Sequence, residues 1–552
     1  FGSSCSIRSV HSFHDVQIFA MAGLRNVYFA FTFIASGGLL FGYIIGVNSN
    51  IITKGQLICP DEGSAAQKGT WTSSGYMQCY ELNSLEMGFL SSLNLIGATI
   101  SSLICFKYAD TMGRKLEVQI GAVFYVVGAG VATAAPTLWG ISLGLALYGL
   151  GIGFAMHAAP VYIAEISPAS VRGTLVSAKE AVVVLGIFLG YFFGFVFSGI
   201  DVYGWRFSVL VSAVFAFIMM IGISFIPQSP RYLVLTSVRA EGILESQGQQ
   251  MNQAGLSSPL ADSDGIGVPQ QARDSLKFFR NVNSHHEVEE ELQIMHSDSR
   301  RAIQEATAGG ARPAGLFDAF RYPRPLLIGC GIVFLQQVTG QPSVLYFATN
   351  IFKDAGFGSS AALSSVLVGL VKLIATMMTV WKVDQYGRRL LLFIGIGLMV
   401  VALAILGTAF MFQECKAPGV SLRDCSDQDK GLPQIWAYTT VVALMFYVTG
   451  YQVGFGPIAW LLISEVFPLG VRGSALSVAA IVNFVSNISM TLTQKVLQDA
   501  FTPSGVFFGY FFLAIVSIIF VYFIVPETKG KTLEEIEAEL SSRKPRQVIS
   551  SA

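Results

Sequence analysis

Arginine and carboxylate residues recur at matched spacings in two regions of the chain. ADTMGRK at 109–115 is echoed by VDQYGRR at 383–389. EISPASVRG at 165–173 is echoed by EVFPLGVRG at 465–473, a shift of 300 that keeps Glu, Pro, Arg and Gly in register. PQSPRYL at 227–233 and PETKGKT at 526–532 form a third, looser pair. The groups able to act are Asp110, Arg114, Glu165 and Arg172 in the first copy, and Asp384, Arg388, Arg389, Glu465 and Arg472 in the second. A guanidinium presents a planar fork of N–H donors that matches a carboxylate in two-point contacts. Each exposed bridge contributes only about 0–1 kcal/mol, which suits a latch that opens on every cycle. A plainer role, setting topology and ordering loops, draws on the same residues. Other chemistries fail on context. GISLG at 140–144 matches a hydrolase nucleophile pattern but starts an apolar run, not a strand–turn–helix. GKT at 530–532 lacks the leading Gly of a phosphate loop. HHEVEEE at 285–291 reads as a solvated helix face before a metal cluster. The expectation is therefore no enzyme, no cofactor and no metal.

The scaffold that holds these residues is poor in charge. Of 552 residues, 53% are hydrophobic and 13% charged, with a formal net charge of zero. Soluble globular proteins carry roughly 25% charged residues. Residues 227–325 hold 22 of the 70 charges and 526–552 hold 10, so the rest of the chain is about 9% charged. That composition cannot cover a water-facing surface, which excludes a soluble enzyme and a disordered scaffold. Neutrality argues against a nucleic-acid partner. The expected surroundings are a lipid bilayer.

Apolar windows of about 20 residues mark helices that cross a bilayer. They fall near 26–47, 87–106, 117–136, 138–159, 174–198 and 205–226, and again near 326–349, 361–383, 389–412, 435–462, 473–497 and 504–525. None alternates apolar and polar residues as barrel strands do. The prediction is an all-α integral membrane protein with twelve transmembrane helices in two six-helix pseudo-repeats. Its parts are an N-terminal tail (1–25), a first bundle (26–226), a connector (227–325), a second bundle (326–525) and a C-terminal tail (526–552). Parallel repeats of this kind are a transporter architecture. The chain begins with Phe1, Met21 is a candidate start, and the first twenty residues are too weakly patterned for a targeting signal.

The connector is rich in Gln, Ser, Gly, Asp and Arg, and reads as amphipathic helical pieces, such as 285–296, around a flexible middle. Arg114, Lys115, Arg172, Arg388, Arg389 and Arg472 lie on its side of the membrane. The positive-inside rule makes that side cytosolic, with both tails. Cys59 and Cys79, and Cys415 and Cys425, share loops on the opposite side. Disulfides there would suit an oxidising exterior or lumen; free thiols are the alternative. Gly38, Gly42 and Gly46 in span one, and Gly186, Gly190 and Gly194 in span five, form small faces for close helix packing.

Together the motifs resemble the sugar porter family of the major facilitator superfamily, over nearly the whole chain from about residue 30 to 540. They are GGLLFGY (37–43), DTMGRK (110–115), PVYIAEISPASVRG (160–173), GWR (204–206), PQSPR (227–231), QQVTGQPSVLYF (336–347), DQYGRR (384–389), GPIAW (456–460), EVFPLGVRG and PETKGKT. MHAAPVYIAE (156–165) and RGTLVSAKE (172–180) are similar to a plant-type branch of D-xylose–proton symporter-like and vacuolar glucose transporters. The resemblance implies alternating-access transport of a monosaccharide, a hexose or pentose such as glucose or xylose. It places Gln336, Gln337, Trp460 and Asn483 at sugar-contacting positions, where amides offer donor and acceptor together and Trp a ring face. Bridges between the two halves would latch the cytosolic side.

Departures from the family pattern are as informative. Proton-coupled relatives carry an acid in span one and an answering Arg in span four; here Ile44 and Leu145 stand there. Losing both members avoids an unpaired charge in the bilayer, which costs several kcal/mol, and favours facilitated uniport. Against this, Glu180 replaces a usual Gln of span five and Lys372 a usual Asn of span eight. Glu180 lies about 12 Å in from Arg172 and Lys372 about 18 Å from Asp384. Charges at that depth are functional candidates, and the two are expected to face each other across the cavity, holding sugar hydroxyls or taking part in proton coupling. Lys179 is expected to point elsewhere. Pro342 replaces an Asn, Phe484 a Trp and Phe106 a Gly of the family pattern. His157 reads as an interior histidine. The rival functions are proton symport through Glu180, polyol or inositol transport, and a sugar receptor that does not transport. The chain is expected to work as a monomer, in a plasma, vacuolar or other organellar membrane.

Overall fold

The computed structural model describes residues 8–59, 67–71, 73–76, 78–253, 269–281, 285–308, 320–415, 430–467, 472–529, 531, 535–536 and 539–540. The first half holds α1 (Arg8–Ile51), α2 (Ser84–Met112), α3 (Arg114–Ala134), α4 (Leu138–Ile166), α5 (Ala169–Phe197) and α6 (Gly204–Ser224). The connector contributes α7 (Pro230–Gln253), α8 (Gln270–Arg280) and α9 (His285–Ala308). The second half runs α10 (Pro323–Val338), α11 (Gln341–Tyr346), α12 (Ala348–Asp354), α13 (Ala361–Tyr386), α14 (Arg388–Met411), α15 (Gln434–Gly454), α16 (Gly456–Val466) and α17 (Arg472–Phe523). Two short strand pairs, β1 (Gln67–Gly69) with β2 (Gln78–Tyr80) and β3 (Glu414–Cys415) with β4 (Lys430–Gly431), order the outer loops.

Ten helices among the described residues are long and apolar enough to cross a membrane. Two features bring the crossings to twelve. At 1.5 Å per residue, α17 would run about 78 Å if straight, over twice a hydrocarbon core of about 30 Å. It bends at Thr502 (φ 63°) and Pro503, so it crosses twice. Span seven is broken into α10, α11 and α12. Gly340 takes φ 96° between the first two pieces, and a Cβ there would lie 2.4 Å from the Tyr510 ring. Pro342 sits in the first turn of α11, where its missing N–H has no helical acceptor to lose. The N-terminal boundary expected at residue 26 falls inside α1.

Each half has its own core. Tyr43, Tyr125, Tyr148 and Trp205 anchor the first, and Leu392, Met399, Tyr447 and Phe455 the second. Large apolar side chains also cover the outside, Phe225 at 71% and Phe523 at 75% exposure among them, as a lipid-facing surface requires. The two glycine stripes meet. A Cβ on Gly42 would lie 1.9 Å from the Val183 carbonyl, and one on Gly186 would lie 2.0 Å from that of Leu39, so α1 and α5 touch backbone to backbone.

The connector packs on a small core of Val234, Val238, Leu276, Val288 and Leu292. Its α8 docks under the first half: Asn26 donates to the Phe278 carbonyl at 2.7 Å, and Arg280 donates to the Ile166 carbonyl at the end of α4 at 2.9 Å. The acidic start of α9 is tied by Arg273–Glu289 and Arg280–Glu291 bridges. The middle, 254–268, lies outside the described residues. Cys59 and Cys79 form a disulfide. Cys415 is disulfide-bonded as well, and Cys425 lies outside the described residues.

Candidate functional site

The repeated motifs form one clamp on the connector face of each half. Gly113 (φ 78°) and Gly387 (φ 87°) make the tight turns that start α3 and α14, in a conformation that strains any residue with a Cβ. Arg114 Nε then meets Glu165 of α4 at 3.3 Å, and Arg388 meets Glu465 of α16 at 2.9 Å. The chain after each sixth span returns to cap the same turn. Gln228 Oε1 accepts from the Lys115 N–H at 2.8 Å, and Glu527 accepts from the N–H groups of Arg388 and Arg389, each at 3.2 Å. Thr528 adds a bond to Glu465 at 2.6 Å. Arg389 donates to the Tyr522 carbonyl at 2.6 Å and Arg172 to that of Ser167 at 3.4 Å. The side chains of Asp110, Asp384 and Arg472 lie outside the described residues.

These bridges run inside each half: each Arg opens a helix beside the Glu-bearing helix end of its own bundle. Contact between the halves concentrates on the opposite face. Ser49 and Thr349, 300 residues apart, exchange hydroxyl contact at 3.0 Å. Asn350 donates to the Ile52 carbonyl, Lys353 to that of Lys54, and Tyr191 to that of Leu345. Ser84 bonds Asp499. The molecule is closed on its outer-loop face.

Between the halves lies a buried polar site. Gln336 and Gln337 end α10 just before its break, at 3% and 4% exposure. Gln336 donates through Nε2 to the Phe455 carbonyl at 3.3 Å, and Gln337 to Asn483 Oδ1 at 2.5 Å. The acceptor oxygens of both Gln side chains are buried and meet no protein donor. Trp460 is partly buried against the second half's core. Lys372, on α13, is buried, with Nζ 4.8 Å from the centre of the Tyr451 ring. A narrow crevice beside it is lined by Gln341, Tyr447 and Tyr451.

Glu180 reaches this site from α5, with one correction. Its carboxylate bridges Lys179 at 2.9 Å, so Lys179 does not point elsewhere. Its flexible four-carbon stem lets the neighbouring ammonium curl back to the nearest anion in an apolar layer. Glu180 still acts electrostatically on Lys372 and Tyr451, without an ion pair to Lys372. Ile44 and Leu145 are sealed in the first half's core at 0% and 1% exposure, leaving no ionisable pair at those two positions.

Sequence reasoning missed three groups. Tyr451 sits between Lys372 and Gln336, touching both. Asn94 in α2 is fully buried with neither amide atom partnered, and Asn48 in α1 donates to the Ser91 carbonyl while its Oδ1 finds no donor. A polar residue inside an apolar span is the signal that would have found them.

Two pseudo-symmetric six-crossing halves around a buried polar site define a transporter of the major facilitator type. The fold is similar to that of the xylose transporter XylE from E. coli in a partially occluded inward open conformation, with a TM-score of 0.66 over 92% of this chain and 99% of that one, at 22% identity. The chain matches the sugar (and other) transporter family over residues 30–257 and 267–540, and it belongs to that family. It is 38% identical to D-xylose-proton symporter-like 2 of Arabidopsis thaliana over 512 residues, 92% of this chain and 90% of that one. It is 30% identical to the D-xylose transporter of Levilactobacillus brevis over 517 residues, 93% and 96% of the two chains. The protein is an integral multi-pass membrane transporter and not an enzyme.

Proposed function

We propose that the protein carries a monosaccharide, hexose or pentose, across its membrane by alternating access of two rocking halves, as a facilitated uniporter working as a monomer. The observation that carries this reading is the pair of buried Gln336 and Gln337 oxygens without protein donors. Buried acceptors are normally hydrogen-bonded, and sugar hydroxyls are donors of the right kind, with Trp460 offering a ring face beside them. Asn483 holds Gln337, and Glu180 and Lys372 close the site from opposite halves. The clamps Arg114–Glu165 and Arg388–Glu465 keep each half rigid at its connector face, with Asp110, Arg172, Asp384, Arg389 and Arg472 in the same corners. By the positive-inside rule, the basic corners support a cytosolic side for that face, the connector and both tails.

The apolar burial of Ile44 and Leu145 supports uniport. A second reading, proton-coupled symport, is favoured by the position of Glu180 within electrostatic reach of Lys372 and by relatives named as proton symporters. Competition in vesicles tests the substrate class. Uptake of labelled xylose is expected to be blocked strongly by glucose and weakly by inositol. The reverse order would transfer the reading to polyols.

A further inference from the structure

The transport reading leaves one buried cluster unused. Cys105 on α2, Glu117 on α3 and His157 on α4 bring a sulfur, a carboxylate oxygen and an imidazole nitrogen within 4.8 Å of one another. Cys105 and Glu117 have no exposure, while the His157 side chain keeps 28%. His157 Nδ1 stands 2.6 Å from Glu117 Oε1, and the Cys105 thiol bonds the same carboxylate. The second oxygen, Glu117 Oε2, is buried with no partner in the protein.

We propose that Cys105, Glu117 and His157 form a binding site for a zinc-class divalent transition metal within the first half. One thiolate, one imidazole and one carboxylate match the ligand chemistry of zinc, with a fourth position left for water. Tetrahedral ligands stand about 3.5 Å apart at ordinary metal–ligand lengths, so on binding the widest pair closes by about 1 Å and the 2.6 Å His157–Glu117 pair opens by about the same. Charge favours the filled site. A buried carboxylate with one oxygen unpartnered is costly in an apolar bundle, whereas thiolate plus carboxylate neutralise a divalent ion. Binding releases the thiol proton, as it does whenever a cysteine becomes a ligand. Glu117 lies one turn from Arg114, so the ion enters from the connector face past the partly exposed His157. Once bound it ties α2, α3 and α4 at one point, beside the Arg114–Glu165 clamp.

The test is cobalt titration of the full-length protein purified in detergent. The expected result is a near-ultraviolet thiolate-to-cobalt charge-transfer band that saturates at one equivalent and is displaced by zinc. The band should vanish in Cys105→Ser, and cobalt affinity should fall at least about tenfold in His157→Gln. Both variants are compared with wild type by size-exclusion profile, so that misfolding is seen directly. A wild-type protein with no such band at millimolar cobalt overturns the proposal, as does a band that survives in Cys105→Ser.

Discussion

Glu180→Gln is expected to lower sugar uptake by about 5- to 30-fold and to change its dependence on pH. The substitution keeps the shape of the side chain but removes the charge that answers Lys179 at 2.9 Å and acts on Lys372 from the other half. Breaking a buried pair by removing one partner costs about 3–5 kcal/mol, because the remaining charge is left uncompensated. The Glu180 side chain keeps 23% exposure, so water recovers part of that, leaving about 1–2 kcal/mol, or about 5- to 30-fold. Uptake in vesicles, normalised to protein that elutes as wild type does, is the measurement. Unchanged uptake with an unchanged pH profile would remove Glu180 from the transport site and leave it a purely structural ion pair.

Gln336→Ala is the second large effect, and it should appear in KM more than in the maximal rate. The side chain stands at 3% exposure, with its amide held on the Phe455 carbonyl and its oxygen free to accept from substrate. Truncation removes a substrate contact, while the Phe455 carbonyl keeps its bond from the Ala459 N–H at 3.2 Å. A neutral hydrogen bond contributes about 0.5–1.5 kcal/mol, which predicts a KM rise of about 2- to 13-fold. An interaction made equally in bound and reacting states moves KM and leaves turnover nearly intact. A KM within a factor of two of wild type would show that Gln336 does not touch the sugar.

Much of the architecture was legible because the bilayer allows so few solutions. Twelve apolar windows, two of them sharing α17, and charged motifs repeated in the same order were enough for the two halves. The glycine stripes likewise marked α1 and α5 as faces for close packing, since lipid offers no hydrophobic drive and small residues are how helices approach; that the two stripes meet each other is read from the structure. Span seven carried its own break in Gly340, Gln341 and Pro342, a signal that an apolar-window count passes over.

The partners of the charges were not legible. Arg114 and Glu165 are 51 residues apart in sequence, and nothing in their spacing says that the bridge closes within one half. Lys179 shows the same limit. Its helical direction points away from Glu180, and only the length of its stem brings the two together. Tyr451 went unseen because a tyrosine in an apolar span looks like packing until Lys372 is found above its ring. The Cys105, Glu117 and His157 cluster draws one residue from each of three helices, a juxtaposition that no linear motif encodes.

The most direct test of the account is flux of labelled xylose or glucose into sealed vesicles holding the purified protein, with and without an imposed pH gradient. The account predicts saturable entry that stops when the inner concentration equals the outer one, at the same level under either condition. Binding without entry would contradict the transporter, and accumulation above the outer concentration under the gradient would contradict the uniporter.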